Sequence, residues 1–264
     1  MEENANVENE IESNIPDTEN SHNNEVNTEI TELKPEKSRM QEFIEFLRDL
    51  IIIFIIVMII RTYIAAPFQI SGGSMDTSYH NNEFIIVDKL SYVKIGALEI
   101  GNPTRGDVVI FRPHANNGKE FYIKRVLGLP GDTIKFENGE VFIKRPNDKD
   151  FIKLNESYLS ETNIKSTFLG PDIKENSFTV PEGDYFLMGD NRVNSSDSRS
   201  CFLSCSIKGS SHFIKRGDIL GKVFLDFGYF NIFKEGTFEL GELKWNYPPR
   251  FLNTPRKWIY KELN

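Results

Sequence analysis

The stretch Leu50–Ile60, LIIIFIIVMII, holds no polar side chain. A helix of this kind has no face to turn toward water, because apolar residues fill every position instead of one stripe. Arg61 and Thr62 interrupt the run, and YIAAPF carries the apolar character on to Phe68. Counted to Ala66 it covers about 17 residues, roughly 26 Å as helix, close to the hydrocarbon thickness of a bilayer. Phe43, Ile44, Phe46 and Leu47 extend it at the other end, with Glu45, Arg48 and Asp49 at headgroup level. A single transmembrane helix over residues 43–66 is therefore expected, ended by Pro67. A cleaved secretory signal fits less well, since about 49 mostly polar and acidic residues precede the run. Lys34, Lys37, Arg39 and Arg48 gather before the run, whereas Lys89 and Lys94 follow only after a gap. That bias sets the N-terminus in the cytoplasm and residues from about 67 onward on the outer face of the cell membrane.

The formal charge of −8 is unevenly spread. Residues 1–33 contain ten acidic and no basic residues, so the remainder carries about +2. Rich in Asn, Ser and Thr and without an aromatic ring, this segment buries too little to offset the entropy of ordering. Residues 1–40 are expected to form an acidic disordered tail. Nothing in the remainder makes a basic stripe, which argues against nucleic acid as a partner.

Beyond the apolar run, short alternating or apolar stretches recur between turn signals: EFIIVDKL, GDVVIFRP, FYIKRVLG, TIKFENGEVFIK, DYFLMGD and GKVFLDF. Asn138-Gly139 between alternating flanks is a hairpin signal. The expected fold is mainly β, with an antiparallel, barrel-like core over 67–136 and 184–228. A smaller β lobe is inserted at 137–183, and residues 229–264 form a C-terminal extension. Trp245, Tyr247, Phe251, Trp258 and Tyr260 place aromatic rings in that extension, either against a membrane surface or capping the β domain. Cys201 and Cys205 lack the nearby Cys or His partners of a closed zinc site. Outside the cytoplasm they can form a small-loop disulfide; otherwise they are two thiols, and both readings stay open.

A serine on a glycine-rich turn, Ser74 in QISGGSMDTSYH, has the setting of a nucleophile, although a plain loop serine is the common case. Histidine is the usual base, but His22, His80, His114 and His212 sit in polar or tail-like surroundings. Lys124 is the better candidate, because it lies inside the apolar strand FYIKRVLG. An unperturbed lysine is neutral in about one molecule in a few thousand at pH 7, and desolvation lowers its pKa by up to ~3–5 units. A third polar segment, GDNRVNSSDSR, offers Ser195 to orient the amine and Asp197 with Arg199 to stiffen the loop.

Taken together and in order behind an apolar anchor, FQISGGSM, YIKRVLGLPGD and GDNRVNSSDSR resemble the sequence boxes of bacterial type I signal peptidases. These are Ser-Lys proteases that release signal peptides from exported proteins, and the resemblance covers roughly residues 43–227. It implies Ser74 as acylating nucleophile, Lys124 as general base, and Ser195 as a hydrogen-bond partner of the lysine. Arg125 with Asp190, and Asp197 with Arg199, would be structural ion pairs. Ile70, Met75 and Ile123 would line pockets for small side chains of the substrate. The implied partners are signal peptides of secretory preproteins, the lipid bilayer and the protein export machinery; no metal or other cofactor is implied.

Three departures stand out. Gly72 occupies a position where some members carry a serine that completes the oxyanion hole. Asp76-Thr77-Ser78 replaces a segment that usually holds a proline. Val193 stands where an acidic residue is frequent. A membrane-anchored binding protein on a degenerate peptidase fold is the competing reading. Joint retention of Ser74, Lys124 and Ser195 argues against it.

Overall fold

The computed structural model describes residues 38–76, 78–95, 98–113, 120–203, 205–229 and 250–251. It divides into two units, Met1–Arg48 and Asp49–Asn264. The expected acidic tail lies outside the described residues except at its last few positions, as does most of the C-terminal extension.

Helix α1 spans Arg39–Ile59 and begins with a capping box. Ser38 Oγ accepts from Met40 N at 3.3 Å, and Gln41 Oε1 accepts from Ser38 N at 3.2 Å. None of its side chains is buried. The chain widens into one looser helical turn at Ile60–Ile64 and then becomes extended at Ala65. This corrects the expected transmembrane helix over 43–66: among the described residues no helix is long and apolar enough to cross a membrane. The physical reason lies at both ends of α1. Glu42, Glu45, Arg48 and Asp49 interrupt its first half, leaving Leu50–Ile59 as the apolar part, about 15 Å of helix. Ala65 and Ala66 belong to the sheet instead. Pro67 therefore does not end the helix; it lies within an edge strand, where a missing N–H is tolerated.

The strands in chain order are β1 Ala65–Gln69, β2 Glu83–Asp88, β3 Lys94–Ile95, β4 Leu98–Glu99, β5 Val108–Phe111, β6 Tyr122–Gly128 and β7 Thr133–Glu137. They continue with β8 Glu140–Lys144, β9 Ile152–Lys153, β10 Ser177–Thr179, β11 Asp184–Met188, β12 Ile214–Lys215, β13 Ile219–Tyr229 and β14 Arg250–Phe251. Eight of them form one antiparallel sheet in the order β1-β2-β13-β5-β6-β11-β12, with β14 also paired to β13. Its end strands β1 and β12 do not pair with each other, so the sheet is a curled half-barrel, not a closed one. Register shifts along β13 at Val223/Leu225 and Asp226/Gly228 mark bulges of the kind that bend strands.

A second sheet, β10-β7-β8-β9, lies in sequence between β6 and β11. Its first strand, Thr133–Glu137, falls but for its last residue in the segment expected to belong to the core, yet pairs with β8 and β10. The Asn138-Gly139 hairpin is present, with Glu137 opposite Glu140 and both turn residues at positive φ, 53° and 75°. Leu127, Phe186 and Met188 from the large sheet share one buried cluster with Ile134, Ile143 and Phe178 of the small one. β6 and β11, which carry the polar residues of interest, are thereby clamped between two cores.

Candidate active site

Ser74 lies in the loop between β1 and β2. Ile70 N donates to Glu83 O at 2.9 Å and Asn82 N to Ile70 O at 2.8 Å, so the hairpin runs past β1 before the loop opens. Gly72 adopts φ +99°, a conformation that suits glycine, and its amide donates to Asn81 Oδ1 at 2.8 Å. The turn then closes through Asp76 N to Gly73 O at 3.1 Å and Tyr79 N to Met75 O at 2.9 Å. Met75 and Tyr79 drop into a cluster with Ile70, Ile85, Ile110 and Ile123. Buried side chains and backbone hydrogen bonds thus hold a turn that has no proline. The Asp76 carboxylate folds back over Gly73; Thr77 lies outside the described residues.

Lys124 approaches from β6, an interior strand flanked by β5 and β11, with Val109 as its cross-strand neighbour. Every β6 residue after Tyr122 is buried, and Lys124 keeps only 3% exposure. Its Nζ donates to Ser74 Oγ at 2.6 Å and to Ile123 O at 2.9 Å. Burial pushes its pKa down from 10.5 to about 8, against the opposing pull of Asp197 and Asp190. At that value roughly one amine in ten is neutral at pH 7, hundreds of times more than for a free lysine.

The loop after β11 forms the floor. Arg125 grips Asp190 through two parallel bonds, Nε to Oδ1 at 2.8 Å and Nη2 to Oδ2 at 2.5 Å, with both side chains fully buried. Arg199 grips Asp197 in the same manner, at 2.9 Å for each bond. Burial alone would raise the Asp197 carboxyl. The Arg199 guanidinium and the Gly189 amide outweigh it and hold the carboxyl below the ordinary carboxylate range. Ser195 Oγ is buried but does not accept from Lys124, and among the described residues it has no well-aligned hydrogen-bond partner. It lies close enough to Asp197 to help keep that carboxylate ionised. Gly189 packs so tightly that a Cβ there would collide with Ser195 Oγ and the Ser74 carbonyl. Val193 is exposed at 67%, and its backbone amide donates to Asn163 Oδ1 at 3.2 Å.

Sequence reasoning passed over three residues that shape the site. Asn191 donates from its backbone to Ser74 O at 3.1 Å and from Nδ2 to Gly73 O at 2.9 Å, pinning the turn from below. Arg192 is buried and donates to Gly189 O at 3.0 Å and to Thr167 Oγ1 at 2.8 Å, tying the inserted lobe to the floor. Asn81 occupies the Gly72 amide. The first two lie inside GDNRVNSSDSR, where the signal was present without an obvious target.

A groove of about 620 Å³ runs over Ser74 and Lys124, walled by Phe68 to Ser74 on one side and Glu120 to Lys124 on the other. Ile70 and Ile123 line it, whereas Met75 packs beneath in the core. His80 pairs with Glu83, Nδ1 to Oε1 at 3.0 Å, and not with Ser74. His22 and His114 lie outside the described residues. Cys201 and Cys205 are bonded to each other. The absence of a nearby third ligand, expected from sequence, needs correcting, because the fold brings His212 Nε2 to 3.7 Å from Cys205 Sγ.

A half-barrel of antiparallel strands with a serine hydroxyl held by a desolvated amine at the foot of an extended groove defines a class, a serine hydrolase of β architecture. Residues 43–227 match the family model described as signal peptidase, peptidase S26. Signal peptidase I S of Bacillus subtilis (strain 168) is 33% identical over 183 residues, 67% of this chain and 91% of that one. Signal peptidase IB of Staphylococcus aureus (strain Mu50) is 32% identical over 198 residues, 74% of this chain and 94% of that one. A solved signal peptidase I from Enterococcus faecalis V583 is 28% identical, covers 46% of this chain and 95% of that chain, and has a TM-score of 0.32, which adds no weight. The chain belongs to the signal peptidase family, peptidase S26, and is a serine endopeptidase of the type I signal peptidase kind.

Proposed function

We propose that this chain removes N-terminal signal peptides from exported preproteins through a Ser74-Lys124 dyad and a covalent acyl-enzyme. The observation that carries the reading is the 2.6 Å hydrogen bond between Lys124 Nζ and Ser74 Oγ, made by an amine whose pKa burial lowers to about 8. When the amine loses its proton the contact reverses, and the Ser74 hydroxyl donates to the nitrogen lone pair. Attack of Oγ on the scissile carbonyl then delivers that proton to Lys124, which passes it to the leaving amine. Water, deprotonated by the same nitrogen, releases the acyl group. The Ser74 amide stabilises the oxyanion; Gly72 supplies no side-chain donor, and its own amide is already engaged by Asn81.

The substrate lies extended along the groove. On its outer side β1 has no strand partner among the described residues, so its backbone groups are free to pair with an added strand. Ile70 and Ile123 favour small side chains at the first and third residues before the cut. The two ion pairs, Arg125-Asp190 and Asp197-Arg199, hold the floor against which both reacting groups rest. Ser195 supports Asp197 from the same loop.

The membrane is the second part of the proposal. Leu50–Ile60 and Ile64 are each 42–64% exposed, a continuous apolar surface unsuited to water. Transferring such half-exposed side chains to hydrocarbon gains about 1 kcal/mol each. These residues hold the chain at the cell membrane by burying that surface in it, with the peptidase unit on the outer face. Membranes carrying Ser74→Ala or Lys124→Ala are expected to leave a preprotein uncleaved while wild-type membranes process it. Wild-type processing rates in either variant would overturn the dyad.

A further inference from the structure

Behind the floor of the site, and unused by the chemistry above, Cys201 and Cys205 meet His212. One donor atom from each of the three lies within 4.8 Å of the others. His212 is already oriented as a ligand. Its Nδ1 donates to the Ser198 carbonyl at 2.6 Å, which leaves the Nε2 lone pair facing Cys205 Sγ. Hydrogen bonding of one ring nitrogen to a backbone carbonyl is how metal-bound imidazoles are commonly held. The ring is further wedged against Phe178, centroid to centroid at 4.5 Å.

We propose that Cys201, Cys205 and His212 form a thiolate-imidazole site for Zn²⁺, available when the disulfide is reduced. Bonds of about 2.3 Å to sulfur and 2.0–2.1 Å to nitrogen place tetrahedral S and N ligands about 3.6 Å apart. The Cys205 Sγ to His212 Nε2 distance is 3.7 Å, so that edge of the tetrahedron already has its length. The two sulfurs, bonded to each other here, must part to about 3.8 Å, and Cys201 Sγ, within 4.8 Å of His212 Nε2, must settle about 3.6 Å from it. Cys201 is buried at 3% exposure whereas Cys205 lies at the surface, so an attacking thiol reaches the Cys205 side.

Loading requires two steps that balance. A dithiol reductant supplies two electrons and two protons, becomes a disulfide itself, and leaves Cys201 and Cys205 as thiols. Zn²⁺ then displaces both thiol protons and forms two Zn–S bonds and one Zn–N bond, with water in the fourth position. Disulfide and metal therefore exclude each other, and each ties Cys201, four residues after Asp197, to the same Cys205.

The full-length protein in detergent, reduced with a dithiol and freed of it under argon, is titrated with Co²⁺ as a spectroscopic probe and then with Zn²⁺. One Co²⁺ per chain with a thiolate-to-cobalt charge-transfer band, displaced by Zn²⁺, is expected, and none in the oxidised protein. His212→Gln and the surface change Cys205→Ser should each weaken affinity at least ~10-fold. Thermal unfolding of the reduced metal-free variants verifies that they fold. A reduced wild-type chain without the band, or a folded His212→Gln chain that binds Co²⁺ as tightly as wild type, would overturn the site.

Discussion

The Ser74 loop and the Lys124 strand meet across a 2.6 Å hydrogen bond but are built on opposite terms. Ser74 rides on a turn in which Gly72 leaves open space where a side chain would stand, and whose shape comes from buried anchors at Met75 and Tyr79. Lys124 is in the middle of a strand sealed on both faces and keeps 3% exposure. In the proposed dyad, one half of the pair must admit a peptide and so needs a bare backbone. The other must be deprived of water, because only desolvation makes a lysine a usable base near neutral pH. Interchanging the two settings would give an inaccessible nucleophile and a permanently charged base.

Changes that erase this contrast should have graded effects. Lys124→Arg keeps the charge in the sealed strand without a usable lone pair, and processing should fall by about 10²–10⁴-fold in a preprotein cleavage assay. Breaking the floor comes next. Asp190→Asn leaves the Arg125 guanidinium buried and unneutralised, a loss of about 3–5 kcal/mol readable by denaturant unfolding. Gly189→Ala drives a methyl group into Ser195 and the Ser74 carbonyl, shifting the turn relative to the strand. Since a displacement near 1 Å can cost about 10²-fold, turnover should drop by that order with the ion pairs intact. Asn191→Ala removes the side-chain bond to Gly73 while its backbone bond to Ser74 remains. A loss of about 0.5–1.5 kcal/mol, seen as a several-fold fall in kcat, is expected.

Much of this was legible in the chain because the relevant signals are local. Lys124 stands inside an apolar run, two glycines directly precede Ser74, and Asp197 and Arg199 are two residues apart. What escaped depends on contacts distant in sequence. Asn191 acts on Gly73, 118 residues away, and nothing near Asn191 names that partner. Likewise His212 approaches the two cysteines only because the chain from Ser198 folds back on itself. The end of α1 was misjudged for a related reason: Ala65 and Ala66 suit a helix, yet pairing with Asp88 and Val87 draws them into β1. Thr133–Glu137 alternates like any half-buried strand, so its sheet could not be told from its pattern alone. Ser195 fits the resemblance by position, yet its hydroxyl makes no aligned hydrogen bond among the described residues and lies close enough to Asp197 to help keep that carboxylate ionised.

The pH dependence of kcat/KM, measured on a preprotein across pH 6–11, tests the buried base most directly. Lys124 must be neutral to take the Ser74 proton, so the rate should climb about tenfold per pH unit below its pKa and level off above about 8. The sign for stability is parallel. The folded pKa lies below the unfolded value near 10.5, so the unfolded chain binds more protons between the two, and this group's penalty is relieved as pH rises from about 8 to 10.5. A rate midpoint near 8, abolished in Lys124→Ala, is the expected result. A midpoint near 10.5, or one near 6.5 that survives loss of Lys124, would contradict it.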